Sequence, residues 1–115
     1  MQRWLKVNSK ITVKILKGML EIVILELLSA KPMHGYAVIS AIRKTYGVYF
    51  GPSTIYPLLN SMERRGLVKC EWMFNAKDRP KKVYYLTDEG KMFLHEGENS
   101  IKILVKPLLT SAKTA

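Results

Sequence analysis

Residues 51–66 read GPSTIYPLLNSMERRG, and the fold turns on how this stretch is understood. Turn residues open it, two small hydroxyls follow, and a proline sits among the first few positions. Beyond that it is amphipathic. Ile55, Leu58, Leu59 and Met62 recur at helical spacing, while Ser53, Thr54, Tyr56, Asn60 and Arg64 fall on the outward side. Ser53 or Thr54 suits the N-cap, which places Pro57 at N3 or N4, where a missing N–H costs little. Gly66 closes the helix after Glu63, Arg64 and Arg65. A first turn that is small and uncharged, in a basic chain, fits entry into a duplex groove. Backbone N–H groups there suit phosphate, and short hydroxyls approach base edges without bulk. Asn60 can pair with adenine, and Tyr56 can reach phosphate or stack on sugar.

Upstream, the pattern becomes helical from about Lys14. Leu16, Leu20, Val23, Ile24, Leu27 and Leu28 define a core face, and Pro32 marks the stop. Ile15, Ile22 and Leu25 form a second apolar stripe that a helix wet on one side would not need, so a further partner is expected there. Residues 1–13, with Trp4, Leu5 and Val7, are a basic lead-in that suits either a short helix or a loose arm. A second helix runs from His34 or Gly35 to Tyr46, with Tyr36, Val38, Ile39 and Ile42 inward and Gly47 as a left-handed cap.

Downstream, the period changes to two. Leu67 to Phe74 and Lys81 to Leu86 are predicted strands, joined by the turn-forming NAKDRPKK, which carries Lys77, Arg79, Lys81 and Lys82. Trp72 and Trp4 could line a pocket for a small effector, but Trp72 alternates with Cys70 and Phe74 on one strand face, which favours sheet packing. Thr87 is the expected N-cap of a last helix, with Asp88 and Glu89 in its first turn. One face of that helix collects Gly90, Phe93, Leu94, Gly97, Ile101, Leu104, Val105 and Leu108, and Pro107 is expected to kink or end it. At ~1.5 Å per residue, 88–106 would span roughly 28 Å, too long for so small a domain to cover. Three helices, a basic hairpin and a closing helix predict an α+β, mostly α fold: a winged helix-turn-helix over 14–86, then a C-terminal helix and tail over 87–115. The third helix would be the reader and the hairpin the wing.

The totals agree with a polyanionic partner. Among 115 residues, 19 are Lys or Arg and 9 are Asp or Glu, a formal charge of +10. Cys70 is the single cysteine, which leaves no intrachain disulfide and no multi-cysteine metal site, and fits a reducing cytosol. Lys14, Lys17, Glu21 and Glu26 interrupt the apolar run from Ile11 to Ala30, against a membrane span. The first ten residues lack the apolar core of a signal peptide. A cytoplasmic protein is expected. His34 and His95 stand apart from each other and from any acidic pair, and Ser53 and Thr54 have no neighbouring base. No catalytic residue, metal, cofactor or enzyme activity is therefore expected.

Four ordered segments resemble the PadR family of transcriptional regulators: GMLEIVILELL at 18–28, PMHGYAVISAI at 32–42, GPSTIYPLLNSMERRGLV at 51–68 and RPKKVYYLTDEG at 79–90. The family's glycine-tyrosine pair is met by Gly35 and Tyr36, its reader-helix tyrosine by Tyr56, and its strand tyrosine and capping threonine by Tyr84 and Thr87. The resemblance implies a repressor that binds double-stranded DNA as a homodimer, on a pseudo-palindromic operator. It also implies that the C-terminal helix packs against the partner, often against its first helix. On that basis Ile15, Ile22, Leu25, Phe93, Ile101, Leu104, Val105 and Leu108 are expected at the dimer interface. Small phenolic or cationic aromatic effectors are known for some relatives, so the resemblance leaves room for an aromatic effector of no assigned identity. Two other functions fit the same composition: a sequence-indifferent architectural DNA-binding protein, and a winged-helix adaptor that docks proteins.

Overall fold

The computed structural model describes residues 9–75 and 77–114, with the side chains of Asp78 and 111–114 left aside. Of the basic lead-in over 1–13, residues 1–8, including Trp4, Leu5 and Val7, lie outside the described residues, and residues 10–13 are helical. The elements in order are α1 (Lys10–Gly18), α2 (Leu20–Ala30), β1 (Met33–His34), α3 (Gly35–Tyr46), α4 (Pro52–Arg64), β2 (Val68–Asn75), β3 (Asp78–Leu86) and α5 (Asp88–Thr114). This is a winged helix-turn-helix with one long C-terminal helix.

The helical stretch expected from Lys14 begins four residues earlier and is broken in two. Ser9 caps α1, its hydroxyl accepting from the Thr12 N–H at 3.2 Å. Gly18, which costs about 1 kcal/mol in a helix interior, ends it. Met19 then adopts φ −104° and ψ 4°, and its N–H returns to the Leu16 carbonyl at 2.9 Å. The break lets α1 and α2 point their apolar residues in different directions.

The core gathers Ile24 and Leu25 from α2, Val38 and Ile42 from α3, Ile55, Leu59 and Met62 from α4, and Val68 and Tyr84 from the sheet. Gly47 caps α3 in the left-handed region (φ 72°), and Gly66 turns the chain after α4 in the same way (φ 78°), as only glycine does without strain. The sheet order is β1-β3-β2, all antiparallel. The two-residue strand β1 gives the periodicity too little to register, and it exists because Met33 and His34 pair with Tyr84 and Val83. The hairpin is longer and tighter than the predicted strands. β3 starts at Asp78, opposite Asn75, so most of the basic turn is strand.

Thr87 caps α5 as expected and ties it to the end of α4. Its hydroxyl accepts from the Gly90 N–H at 2.9 Å and donates to the Gly66 carbonyl at 2.7 Å. The first half of α5 packs on α2, with Leu94 buried and Ile22 lying where a side chain at Gly97 would stand. Pro107 does not end the helix, which continues to Thr114. At ~1.5 Å per residue, 27 residues make a rod of about 40 Å.

Candidate nucleic-acid interface

The N-cap of α4 is Gly51, with Pro52 at the first helical position, so Ser53 and Thr54 lie in the first turn instead of capping it. Pro52 has the φ a helix start needs and no N–H to leave orphaned. The N–H groups of Thr54 and Ile55 both reach the Gly51 carbonyl at 3.0 Å. Pro57 therefore stands deeper than N3 or N4, inside the helix. Along the outer side Ser53, Asn60 and Arg64 are exposed, and Thr54 and Tyr56 are half-buried. Arg65, next to Arg64, is turned away: its guanidinium meets the Glu21 carboxylate at 2.6 Å and lies over the Phe93 ring.

Tyr56 owes its position to a glycine. A Cβ on Gly35 would collide with the Tyr56 ring, so the helix-turn-helix closes around the aromatic only because Gly35 has no side chain. Tyr36 meets Tyr56 edge to face, with ring centroids 6.0 Å apart. Read from the sequence as inward-facing, Tyr36 is 59% exposed, because its place at the start of α3 lies beyond the edge of the core. Burial, and then the neighbouring Tyr36, push the Tyr56 hydroxyl above its ordinary pKa, so it stays a protonated donor at neutral pH.

The wing stands beside this helix. Lys77, Arg79 and Lys81 are exposed, as a phosphate-facing set requires. Lys82 differs: its ammonium group lies 3.4 Å from Glu63 of α4 and over the Tyr84 ring, so its charge is committed within the domain. The Cys70 thiol donates to the same Glu63 carboxylate at 2.9 Å. Glu63 thus links α4 to both wing strands. The thiol hydrogen bond and Lys82 hold its carboxyl below the usual range, against a smaller effect of burial.

Between α4 and the wing lies a cleft of about 450 Å³, lined by Tyr36, Tyr56, Asn60, Trp72, Arg79 and Tyr84 among others. Trp72, expected to pack within the sheet, is 58% exposed on this cleft. The alternation of Cys70, Trp72 and Phe74 identifies a face correctly but does not say what covers it. Only Cys70, nearest the strand's start, reaches the core.

The expected dimer residues divide into two groups. Leu25 is wholly buried (0% exposed) in the chain's own core and has no surface for a partner, because α2 is enclosed on more sides than one apolar stripe suggests. Ile22 and Phe93 are half-buried in intrachain contacts, Ile22 against Gly97 and Phe93 beneath Arg65. Ile15, Leu104, Val105 and Leu108 are exposed, with Ile101 at the border. Ile103 and Leu109, absent from the expected set, are exposed as well. Among the described residues no group of His, Cys, Asp or Glu could hold a metal ion, and no helix is long and apolar enough to cross a membrane.

The model of the family described as "Transcriptional regulator PadR-like family" matches residues 24–96. The chain is 33% identical over 89 residues to the transcriptional regulator YqjI of Escherichia coli, covering 76% of this chain but 41% of that relative's length. A PadR family transcriptional regulator from Eggerthella lenta superposes over all of both chains with a TM-score of 0.84 at 27% identity. Bacillus subtilis PadR, solved in complex with operator DNA, matches 68% of this chain and 44% of its own, with a TM-score of 0.63 at 31% identity.

Proposed function

Because the chain belongs to the transcriptional regulator PadR-like family, we propose that it is a cytoplasmic, sequence-specific DNA-binding repressor that acts as a homodimer. The observation that carries this reading is the first turn of α4, uncharged and outward-facing, beside a hairpin that displays Lys77, Arg79 and Lys81. In this geometry α4 enters the major groove and the wing follows the neighbouring backbone or minor groove. The cations supply affinity through release of counterions, and Asn60, Tyr56 and the small hydroxyls supply sequence preference. That Bacillus subtilis PadR was solved in complex with operator DNA supports duplex DNA as the partner.

The dimer is supported by the second half of α5. Ile103, Leu104, Leu108 and Leu109 are all more than half exposed there. A run of this kind marks an association surface. A second copy there would set two reader helices about one helical turn, ~34 Å, apart on a pseudo-palindromic site.

The test is to recover genomic fragments bound by the protein, footprint the enriched sequence, and compete it against unrelated DNA at fixed salt. A protected inverted repeat with a large advantage over competitor is the expected result. Uniform protection, or no binding to duplex, would overturn the reading.

A further inference from the structure

Phe74 has no task in the fold. It is 75% exposed, the highest value among the large apolar side chains of the sheet, although it lies in a paired strand. It is two residues beyond Trp72 and so shares the strand face that lines the cleft against α4, about 7 Å further toward the wing tip. The pairing is irregular at this point. Met73 faces Lys81 and Asn75 faces Asp78, which leaves Phe74 alone opposite both Arg79 and Pro80. The extra residue belongs to β3, a bulge that twists the hairpin and re-aims Arg79 and Pro80 beside Phe74.

The surroundings select the occupant. Arg79 stands across the hairpin from Phe74, and Lys77 and Lys81 are exposed at the same end of the wing, so a partner that covers this end is polyanionic as well as able to receive an apolar group. The face is continuous with the reader helix through Tyr56, Asn60 and Trp72. A duplex whose major groove holds α4 presents its adjacent minor groove to the wing.

Resting on the regulator reading above, we propose that Phe74 is a wedge that inserts between two stacked base pairs from the minor groove and kinks the operator, with Arg79 in the groove beside it. Partly unstacking a step this way bends a duplex toward the major groove by roughly 20–90°. Flexible pyrimidine–purine steps, TA or CA/TG, cost least to open and would be preferred under the wing.

The experiment uses a roughly 30-base-pair duplex selected by the full chain from a random pool. It carries end fluorophores for bend angle and 2-aminopurine at the step beneath the wing. The wild-type protein is expected to bend the duplex by tens of degrees and to brighten the 2-aminopurine. Phe74→Ala should lose both signals, and Phe74→Leu should keep most of them. Since Phe74 is exposed, unchanged thermal melting of the variants will show that the fold is intact. Tight binding to a straight, stacked duplex, or equal bending by Phe74→Ala, would overturn the wedge and leave the regulator reading standing. Binding to anionic vesicles that depends on Phe74, with bending that does not, would reassign the ring to a membrane surface. A wild-type chain that selects no duplex at all would remove both readings.

Discussion

Tyr56 and Asn60 share the outer side of α4, but they are held differently. Tyr56 is fixed by Gly35 and Tyr36, whereas Asn60 stands free at the edge of the cleft. Asn60→Ala should therefore lower affinity for the operator by about 1–3 kcal/mol and leave binding to unrelated DNA nearly unchanged, as competition titrations would show. Equal loss on both DNAs would remove it from base recognition. Cys70 offers a second check at this scale. Burial, and then the Glu63 carboxylate beside it, push the thiol above its ordinary pKa. The reactive thiolate is correspondingly scarce near neutrality. Alkylation by iodoacetamide at pH 8 should be slower than for an unstructured cysteine peptide, and Glu63→Gln should speed it. Glu63 carries the opposite shift. Its lowered pKa means that the folded state binds fewer protons than the unfolded state in mild acid. The stability it contributes is complete above the ordinary carboxylate range and is lost as pH falls through the folded value. The melting difference between wild type and Glu63→Gln should shrink in acid for that reason.

At the scale of elements, the wing is two sets of cations rather than one. Lys77, Arg79 and Lys81 are open to solvent, while Lys82 is held by Glu63 and Tyr84. Each Ala substitution among the first three should reduce the slope of log K against log salt by about one, with uniform loss across sequences. Lys82→Ala should change the slope less and the wing's stability more. Equal slopes for all four variants would mean that the Lys82–Glu63 pair opens on the DNA. Helix α4 shows a related division. Its inward residues Ile55, Leu59 and Met62 follow from periodicity, but its start is fixed by Gly51 and Pro52, with the cap two or three residues earlier than the hydroxyls suggest.

For the whole molecule, the extents of 61 × 31 × 22 Å describe a compact domain with a helix projecting from it. Leu104 is 73% exposed on that projection. An aspartate there would place a charge at the centre of the proposed contact, where leaving it buried and unpaired is costly. Leu104→Asp should sediment as a monomer and bind the inverted repeat poorly. The wild-type melting temperature should rise with protein concentration, because the dimer stabilises the folded state by mass action. An unchanged dimer in Leu104→Asp would move the interface elsewhere on the chain.

The sequence alone sufficed for the order and kind of α3, α4, the hairpin and α5, the caps at Gly47 and Thr87, and the inward faces of α4 and the start of α5, but not for the break between α1 and α2. Each depends on local backbone preference or on a period that one segment carries alone. It did not determine that Leu25 is enclosed, that Tyr36 and Trp72 stand open on a cleft, that Lys82 is spent on Glu63, or that β1 exists. Those facts depend on which distant segments lie against each residue. Periodicity reports that a face is apolar; only the packing of one element on another decides whether the same chain covers it.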